Sequence, residues 1–329
     1  MYAIVDVGSN TVRMNIYKLE NDKFHLVMSK KEPVGLASYV RNGRMLPEGI
    51  NRCVEILTEF KNLADDLEIK NFRVFATAAL RNAKNSKAAV DEIVERSGAD
   101  IEVISGEMEA EFDFIGASTA TDMKSGLMVD IGGGSTELII FKDGKMKNAV
   151  SIPMGSLNTY DKFVAQIIPT KAERKAIKKA VIKEISQYEF LKSGEFPTIC
   201  GIGGTARAAN KMKNSLFEMP LNHNVIKTAS LKKMIKLLEN DEDEKIPKEP
   251  LDILLRFVPD RVRTILPGMI ILNTIAKYYH SDTIEVTNAG VRDGFLYSRV
   301  LPQAKKAAKP AAKPAAKKPA PKKPAAKKK

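Results

Sequence analysis

The stretch VDVGSNT at residues 5–11 recurs 124 residues later as VDIGGGS at residues 129–135. In each copy apolar residues precede an aspartate, small residues follow it, and an apolar segment comes next, at residues 12–17 and 136–141. The pattern predicts two equivalent β-hairpins, each with an aspartate at the end of a buried strand. Turns poor in side chains let backbone N–H groups approach an anion, and a neighbouring aspartate can hold a metal that bridges phosphates. The repeat therefore indicates two related domains that clamp phosphate groups between them.

The composition excludes several other kinds of chemistry. The chain of 329 residues has three histidines and two cysteines, Cys53 and Cys200, and none of them lies in a zinc-binding or disulfide pattern. A Ser-His-Asp hydrolase or a histidine-rich metal site therefore lacks its residues. No G-x-x-x-x-G-K-S/T motif occurs, which excludes a P-loop NTPase. Carboxylates, hydroxyls, arginines and backbone amides remain, and these groups serve phosphoryl transfer.

The length predicts about two domains, and we expect a cytoplasmic protein. No segment approaches the roughly 20 consecutive apolar residues of a membrane-spanning helix, so we expect no membrane partner. Asp6 interrupts the N-terminal stretch that would otherwise form the apolar part of a secretion signal.

Strands and helices follow one another along the chain in the manner of an α/β protein. Strands are predicted within residues 1–31, at 72–76, 101–104, 198–202 and 283–286, and on both sides of an Asp143-Gly144 turn. Helices are predicted from Pro47 to Leu63, around 88–94, and at 106–117, 155–165, 171–191, 267–279 and 290–300. Residues 118–125 are typical of a polar linker, and residues 240–250 of an acidic loop.

The second of the repeated loops brings two carboxylates together. Asp130 ends one strand and Glu137 lies on the returning strand, so a hairpin places both at the same end of the sheet. Such a pair suits a hard divalent cation such as Mg²⁺, which takes one or two carboxylates together with phosphate oxygens and water. The alternative is an ordinary hairpin with a glycine turn and a surface glutamate. The repetition of the loop at Asp6 favours the metal site.

Two further loops supply groups that bind anions. Gly8, Ser9 and Asn10 offer backbone amides and polar side chains, and Arg13 stands where the second copy has its glutamate. Arg13 then provides a cation on one lobe, and the other lobe provides the metal. The alternative is that Arg13 is a solvated strand residue. Residues 201–206 match the dinucleotide pattern G-x-G-x-x-A, but no clear acidic partner lies at the right distance, and a third phosphate-facing loop explains the same residues.

Seven short motifs occur in order along residues 1–300. They are DVGSN at 6–10, ATAALR at 76–81, ISGEMEA at 104–110, DIGGGSTE at 130–137, GGT at 203–205, Arg261 ahead of ILPG at 265–268, and NAGVRDG at 288–294. Together they resemble the exopolyphosphatase and guanosine pentaphosphate phosphohydrolase family, Ppx/GppA, in its short two-domain form. The resemblance is specific because it does not depend on any single motif.

The resemblance implies the actin-like ATPase superfold of sugar kinases and Hsp70. This is an α/β architecture in which two RNase-H-like lobes surround a cleft. Lobe I is expected to comprise residues 1–120 together with a returning helix at about 288–303, and lobe II residues 121–287. Residues 304–329 are left as a tail. The sequence leaves open whether the chain forms a homodimer.

The resemblance also implies roles for individual residues. Glu109 becomes the base that activates water, a choice over Glu107 and Glu111 that helical periodicity alone does not make. Arg81 is the second catalytic residue. The residues expected to hold Mg²⁺, or another hard divalent cation, are Asp130, Glu137 and Asp6. The residues expected to bind phosphate are Gly8, Ser9, Asn10, Arg13, Gly132, Gly133, Gly134, Ser135, Gly203, Gly204, Thr205 and Arg261.

Two residues depart from the family pattern. Met108 precedes Glu109 at a position where a carboxylate is usual, and Arg263 replaces an acid that is common near the ILPG motif. The first change bears on metal binding and pH dependence, and the second adds a positive charge near lobe II. Neither removes a residue to which the resemblance gives a catalytic role.

Four functions remain open from the sequence. The first is an exopolyphosphatase that hydrolyses terminal phosphoanhydride bonds of inorganic polyphosphate. The second is a guanosine pentaphosphate (pppGpp) 5′-phosphohydrolase, which needs a pocket for a base and a ribose. The third is a polyanion- or nucleic-acid-binding protein that acts through its lysine-rich tail. The fourth is a small-molecule kinase of the same superfold.

The tail, residues 304–329, consists of eleven lysines, ten alanines and five prolines. When its lysines are subtracted from the formal net charge of +13, the rest of the chain keeps +2. The tail has no large apolar side chain and its prolines interrupt helices, so we expect it to be disordered. It is either a solvated extension that aids solubility, or a segment that binds polyphosphate or nucleic acid by releasing counterions.

Deletion of residues 304–329 separates the two interpretations of the tail. If the tail binds polyphosphate, the deletion should raise the apparent KM for long chains and leave that for short chains unchanged. Steady-state phosphate release at low ionic strength is the appropriate measurement, because electrostatic attraction is largest there. An unchanged KM for long chains under these conditions would leave only the solvated extension.

Overall fold

The fold contains two mixed β-sheets, seen in a computed structural model that describes residues 1–239 and 247–308. The strands of the first sheet are β1 (Tyr2–Val7), β2 (Thr11–Glu20), β3 (Lys23–Pro33), β6 (Asn71–Ala76) and β7 (Ile101–Val103). Those of the second are β8 (Gly126–Ile131), β9 (Thr136–Lys142), β10 (Lys145–Ile152), β11 (Thr198–Ile202), β12 (Val225–Lys227) and β13 (Thr283–Val286). A separate two-stranded ribbon pairs β4 (Val40–Arg41) with β5 (Arg44–Met45).

The two sheets share one strand order. The first runs β3-β2-β1-β6-β7, and the second runs β10-β9-β8-β11-β13 with β12 added at its edge. In each sheet the first three strands in sequence are antiparallel neighbours, and the later two pair in parallel beyond the first strand. This topology confirms the predicted α/β fold with two RNase-H-like lobes. We call the first sheet with its helices lobe I, and the second lobe II.

The repeated motif forms the same turn in both sheets. The backbone N–H of Gly8 donates to the carbonyl of Thr11, and that of Gly132 donates to the carbonyl of Ser135, each over 3.0 Å. The strands that precede these turns lie in the middle of their sheets and are covered on both faces. They are therefore apolar almost throughout, as buried central strands are. The hairpin repeat predicted from the sequence is confirmed.

Twelve α-helices lie in the described part of the chain. They are α1 (Pro47–Asp66), α2 (Ala78–Arg81), α3 (Ser86–Ser97), α4 (Gly106–Ser118), α5 (Ser156–Phe163), α6 (Lys171–Ile185), α7 (Gly203–Leu216), α8 (Thr228–Leu237), α9 (Lys248–Phe257), α10 (Ile265–Tyr278), α11 (Val291–Phe295) and α12 (Leu301–Ala308). Short 3₁₀ turns occur at Leu36–Tyr39, Glu189–Leu191 and Pro259–Arg261, and a π-helical turn at Leu296–Val300 joins α11 to α12.

Helix α4 lies between the two sheets. Its Ala110 and Ala117 pack among buried residues of the second sheet, whereas Phe112 packs edge-on against Phe295 of α11. Phe295 in turn stacks on Phe75 of the first sheet, with ring centroids 4.9 Å apart. The C-terminal helices thus return to lobe I. The lobe boundaries of 1–120 plus about 288–303, and 121–287, stay a prediction.

Several element boundaries differ from those predicted. The helix predicted at 171–191 ends at Ile185, and the one predicted at 267–279 begins at Ile265, because Pro267 is tolerated in a first turn. Strand β12 and helix α8 were not predicted. Of the loop predicted at 240–250, residues 240–246 lie outside the described residues, and residues 248–250 form the start of α9.

The start of the tail also differs from the prediction of disorder. Helix α12 runs to Ala308, so residues 304–308 are helical, and the ammonium of Lys305 lies 2.8 Å from a carboxylate oxygen of Asp22. The helix is described as far as Ala308, two residues before Pro310, the first proline of the tail. Residues 309–329 lie outside the described residues. Within the described ranges, no helix is both long and apolar enough to cross a membrane.

Replacement of Gly116 by alanine should destabilise the protein through the contact between α4 and α11. A Cβ on Gly116 would overlap the carbonyl oxygen of Gly290. We expect the free energy of unfolding to fall by about 1–3 kcal/mol, the usual cost of overpacking, despite the better helix propensity of alanine. Equilibrium unfolding in urea measures this change in the free energy of unfolding. Ser118→Ala, at an exposed position of the same helix, is the control and should change little.

Candidate active site

The two repeated loops face one another across a single cavity. Asp6 and Asp130 each lie one residue before the end of their strand, β1 and β8, and both line this cavity of about 370 Å³ between the lobes. The turns themselves touch, since a Cβ on Gly133 would lie 2.9 Å from Cβ of Ser9 and 3.0 Å from the backbone nitrogen of Asn10. Residues without bulky side chains are therefore required where the turns meet.

Most of the predicted site residues line this cavity. They are Asp6, Gly8, Ser9, Asn10, Arg13, Glu109, Asp130, Gly132, Gly133, Gly134, Ser135, Gly203, Gly204 and Arg261. The third loop comes close to the second, because Gly203 has a φ of +79° and a Cβ there would overlap the carboxylate of Asp130. The structure thus brings three glycine-rich turns from distant parts of the chain to one place.

Three predicted residues lie behind the cavity wall. Glu137 is buried, and its Oε1 accepts a hydrogen bond of 2.7 Å from the hydroxyl of Ser151. Thr205 is buried as well, and its hydroxyl donates to the carbonyl of Ile131 over 2.7 Å. Thr205 therefore anchors the second loop rather than facing the cavity. The third residue, Arg81, contacts Glu109.

Glu109 projects into the cavity from the first turn of α4. Ser105 caps this helix by accepting a hydrogen bond from the backbone N–H of Met108. Glu107 and Glu111 are exposed and do not line the cavity, so the structure selects one of the three glutamates that the sequence left equivalent. A carboxylate in the first turn is also favoured by the helix dipole.

The carboxylate of Glu109 is held by Arg81. Nη1 of Arg81 lies 2.5 Å from Oε2 of Glu109 and 3.3 Å from the carbonyl oxygen of Ile104. Burial raises the pKa of Glu109 to about 7, although Arg81 acts to lower it. A carboxylate with a pKa near neutrality can accept a proton at physiological pH, as a general base must.

Asp130 and Glu137 face each other across the second hairpin. They are direct partners in the antiparallel pairing of β8 with β9, so both side chains lie on the same face of the sheet. Burial raises the pKa of Asp130 and raises that of Glu137 well above its ordinary value. The convergence of two carboxylates predicted from the sequence is present.

Asp113 is a site residue that the sequence analysis missed. It lies one helical turn after Glu109 and is fully buried, its carboxyl lies within hydrogen-bond reach of that of Asp130, and no other group in the described part of the chain donates to it. Burial, followed by the nearby charge of Asp130, raises the pKa of Asp113 well above its ordinary value. The only signal in the sequence was an acid within the otherwise apolar segment at residues 112–117.

Two arginines at the site were also missed. Nη1 of Arg292, on α11, lies 3.0 Å from Oδ2 of Asp6, so that carboxylate already has a cationic partner. Arg207, on α7, lines the same cavity, and burial lowers its pKa to about 10, with the charge of Arg292 acting in the same direction. Arg292 lies within the motif at 288–294 quoted above, and Arg207 directly follows the third glycine-rich loop at 201–206.

The lining of the cavity is basic overall in the described part of the chain, with six basic and four acidic side chains. It includes Lys31 of β3 and Lys211 of α7, in addition to Arg13 and Arg261. The ammonium of Lys31 forms an ion pair with Asp260, which joins lobe I to lobe II beside the cavity. Arg13 is the direct cross-strand partner of Asp6, so cations and carboxylates lie side by side in the cavity.

The donor set fits a hard divalent cation that shares its coordination with a substrate. Among the described residues no group of three or more His, Cys, Asp or Glu side chains is placed to hold a metal ion by itself. Asp130 supplies a carboxylate at the cavity surface and Glu137 a second one behind it, and Mg²⁺ commonly takes one or two together with phosphate oxygens and water. Burial is the main cause that raises the pKa of both carboxyls, and the charges of nearby acids act in the same direction, so a cation would favour their ionised forms.

A sequence profile of the Ppx/GppA phosphatase family matches residues 15–303. The chain belongs to this family. The Aquifex aeolicus member of the Ppx/GppA family has a crystal structure that is similar, with 28% identity, a TM-score of 0.73, and coverage of 92% of this chain and 98% of that chain. An exopolyphosphatase from Cytophaga hutchinsonii is 21% identical with a TM-score of 0.79, covers 92% of this chain and 98% of its own, and shows the shared fold.

Curated relatives of this Ppx/GppA chain carry different names. A putative exopolyphosphatase of Haemophilus influenzae is 25% identical over 307 residues, which are 90% of each chain. A guanosine-5′-triphosphate,3′-diphosphate pyrophosphatase of Aliivibrio fischeri is 26% identical over 91% of this chain. The chain spans only 59% of the length of that pyrophosphatase. Family membership confirms the resemblance found in the sequence.

Replacement of Asp113 by asparagine should change how stability depends on pH. An acid whose pKa is raised by folding binds its proton more tightly in the folded state, so its contribution to stability is lost as the pH rises through the folded pKa. In EDTA, the wild-type free energy of unfolding should therefore fall as the pH rises above about 4. Asp113→Asn should make this fall less steep and stabilise the protein at pH 8.

Urea unfolding across this pH range provides the measurement. Asp252→Asn is the matched control, because Asp252 is exposed on α9 and the substitution is chemically the same. If the free energies of unfolding of wild type and Asp113→Asn changed with pH in the same way, Asp113 would not be the buried acid described above.

Proposed function

We propose that the protein is an exopolyphosphatase, which hydrolyses the terminal phosphoanhydride bond of inorganic polyphosphate with water activated by Glu109 and with Mg²⁺ as the cofactor. The observation that carries the proposal is the position of Glu109. Its buried carboxylate faces the same cavity as both repeated loops. A base opposite two anion-binding turns is what hydrolysis of a phosphate chain requires.

In this proposal the repeated turns bind the terminal phosphates. The N–H groups of Gly8 and Gly132 close their turns, so the backbone N–H groups at residues 9–10 and 133–135 would be the ones that bind phosphate, and such groups stabilise developing negative charge without reorganisation. Asp130 and Glu137 would hold Mg²⁺, with Asp6 as the third predicted ligand, although the carboxylate of Asp6 also pairs with Arg292. The cation would offset negative charge of the substrate.

Glu109 orients the attacking water and accepts its proton. With a pKa of about 7, a substantial fraction of Glu109 is ionised at neutral pH, and Arg81 favours that ionised form. The leaving group is a phosphate chain, which departs readily. The main catalytic requirement is therefore to stabilise the negative charge of the phosphates. Arg207 and Arg261, which line the cavity, are placed to offset the charge of the phosphates on either side of the cleaved bond.

The basic side chains of the cavity support polyphosphate as the substrate. Arg13, Lys31, Lys211 and Arg261 add cations to the lining formed by the turns, so that several phosphates can contact cations. The relative of comparable length, from Haemophilus influenzae, is also named a putative exopolyphosphatase.

A second candidate substrate, pppGpp, is supported by an apolar part of the same cavity. Ala208, Phe257 and Val258 belong to its lining, and such side chains suit a purine base. Phosphate release from long polyphosphate, tripolyphosphate, pppGpp and ATP, each with Mg²⁺, compares the candidates directly. We expect the highest kcat/KM for long polyphosphate, and a preference for pppGpp would instead favour the second candidate.

Glu109→Gln tests the proposed mechanism. The substitution keeps the size of the side chain and removes its ability to accept a proton, so turnover should fall by about 10²–10⁴, the usual contribution of a general base. Binding of polyphosphate, measured by calorimetry, should persist. In the wild type, kcat/KM should increase as the pH rises through about 7, where Glu109 ionises.

Glu107→Gln is the matched control, since Glu107 is exposed in the same turn of α4 and should leave turnover nearly unchanged. Turnover of Glu109→Gln within a few-fold of wild type would exclude Glu109 as the base. Loss of substrate binding together with turnover would instead assign Glu109 a role in binding.

A further inference from the structure

A second cavity, of about 470 Å³, lies between the lobes on the other side of the contact between the repeated turns. Lobe I contributes the 3₁₀ turn at Leu36–Tyr39 and helix α2, and lobe II contributes helix α5. Its volume falls within the range of about 300–1,000 Å³ that is usual for small-molecule sites. None of the catalytic roles proposed above uses it.

A thin wall separates the two cavities. Ser9, Ala78 and Gly134 line both of them. At this wall a Cβ on Gly134 would lie 2.6 Å from the hydroxyl oxygen of Ser9 and 3.2 Å from Cβ of Ala78, so the contact is closed. One ligand cannot occupy both cavities while these residues touch. The second cavity therefore takes a ligand of its own.

The lining of the second cavity combines apolar side chains with two cations and one carboxylate, that of Asp161, which accepts a hydrogen bond from Ser38. Ala37, Val40 and Ala79 provide small apolar side chains, and Arg41 and Lys162 stand exposed at its edge. In the part of the chain that is described, neither of these two cations forms an ion pair. The surface suits a flat aromatic group, and the free cations suit phosphates attached to it.

We propose that this cavity binds a purine nucleotide, with the base against Val40 and Ala79 and the phosphates on Arg41 and Lys162. The site goes beyond the proposed hydrolysis, because its ligand is not the substrate in the catalytic cavity. Because the ligand contacts both lobes, it favours the arrangement in which they are close. The hydroxyl of Ser38 already joins the lobes here, by donating to Oδ2 of Asp161 over 3.0 Å.

The nucleotide site is connected to the catalytic base by two successive contacts. Asn82 lines the second cavity, and its Oδ1 accepts a hydrogen bond of 3.4 Å from Nε of Arg81. Nη1 of the same guanidinium binds Glu109. A nucleotide that draws Asn82 towards itself shifts Arg81, and with it the carboxylate of Glu109. Occupancy of the second cavity should therefore change kcat.

Binding is tested with fluorescent N-methylanthraniloyl GDP and ADP on the full chain with Mg²⁺. A methylene-bridged triphosphate in excess fills the catalytic cavity. We expect either nucleotide to bind in its presence with a Kd that changes by less than about threefold. The double variant Arg41→Glu/Lys162→Glu should weaken binding by about tenfold or more, and keep kcat without nucleotide within about twofold of wild type.

Lys175→Glu/Lys236→Glu makes the same change of charge at exposed positions that line neither cavity, and should bind nucleotide as wild type does. Asn82→Ala should retain nucleotide binding and lose its effect on kcat. Competitive displacement of both nucleotides by the triphosphate analogue, or normal binding by the Arg41/Lys162 variant, would overturn the proposal. Binding is read from fluorescence, so failure of the proposed hydrolysis would leave this result interpretable.

Discussion

Packing of helix α4 between the two sheets is the constraint on which the site depends. Ala110 and Ala117 fit against the second sheet, and Phe112 reaches the first through Phe295. The carboxylates of Glu109 and Asp113 leave the same helix one turn apart. Any shift of the helix therefore moves both acids relative to Asp130 across the cavity. Close glycine contacts with α11, at Gly116 and Gly294, make such shifts costly.

The electrostatics of the site follow from that packing. Glu109, Asp113, Asp130 and Glu137 are taken out of water together, and burial raises the pKa of each. Arg81 pairs with the first of them, whereas Asp113 has only another acid, Asp130, within hydrogen-bond reach in the described part of the chain. A region with this much buried acid repels an anionic substrate unless protons or a cation compensate. Positive charge is therefore needed at the place where we propose that phosphates bind.

Short sequence patterns predicted those features of the site that lie within one short segment of the chain. The repeated turns were predictable because alternation, small residues and an aspartate recur within seven residues, and the same hydrogen bond closes both turns. Choosing Glu109 needed the family resemblance, because its neighbours at 107 and 111 share its chemistry. Asp113, Arg207 and Arg292 could not be found this way. Their significance arises only when segments up to 286 residues apart converge, as Arg292 does on Asp6.

The closed contact between Ser9 and Gly134 stops a chain in the catalytic cavity from passing through into the second cavity. A linear polymer that ends against this wall enters by its tip, because a loop from the middle of the chain would need an exit for its other half. Bonds in the interior of a polymer are then out of reach until every unit ahead of them has been removed. The order of cleavage along a chain would in this way be set by the shape of the protein and not by any difference among the bonds.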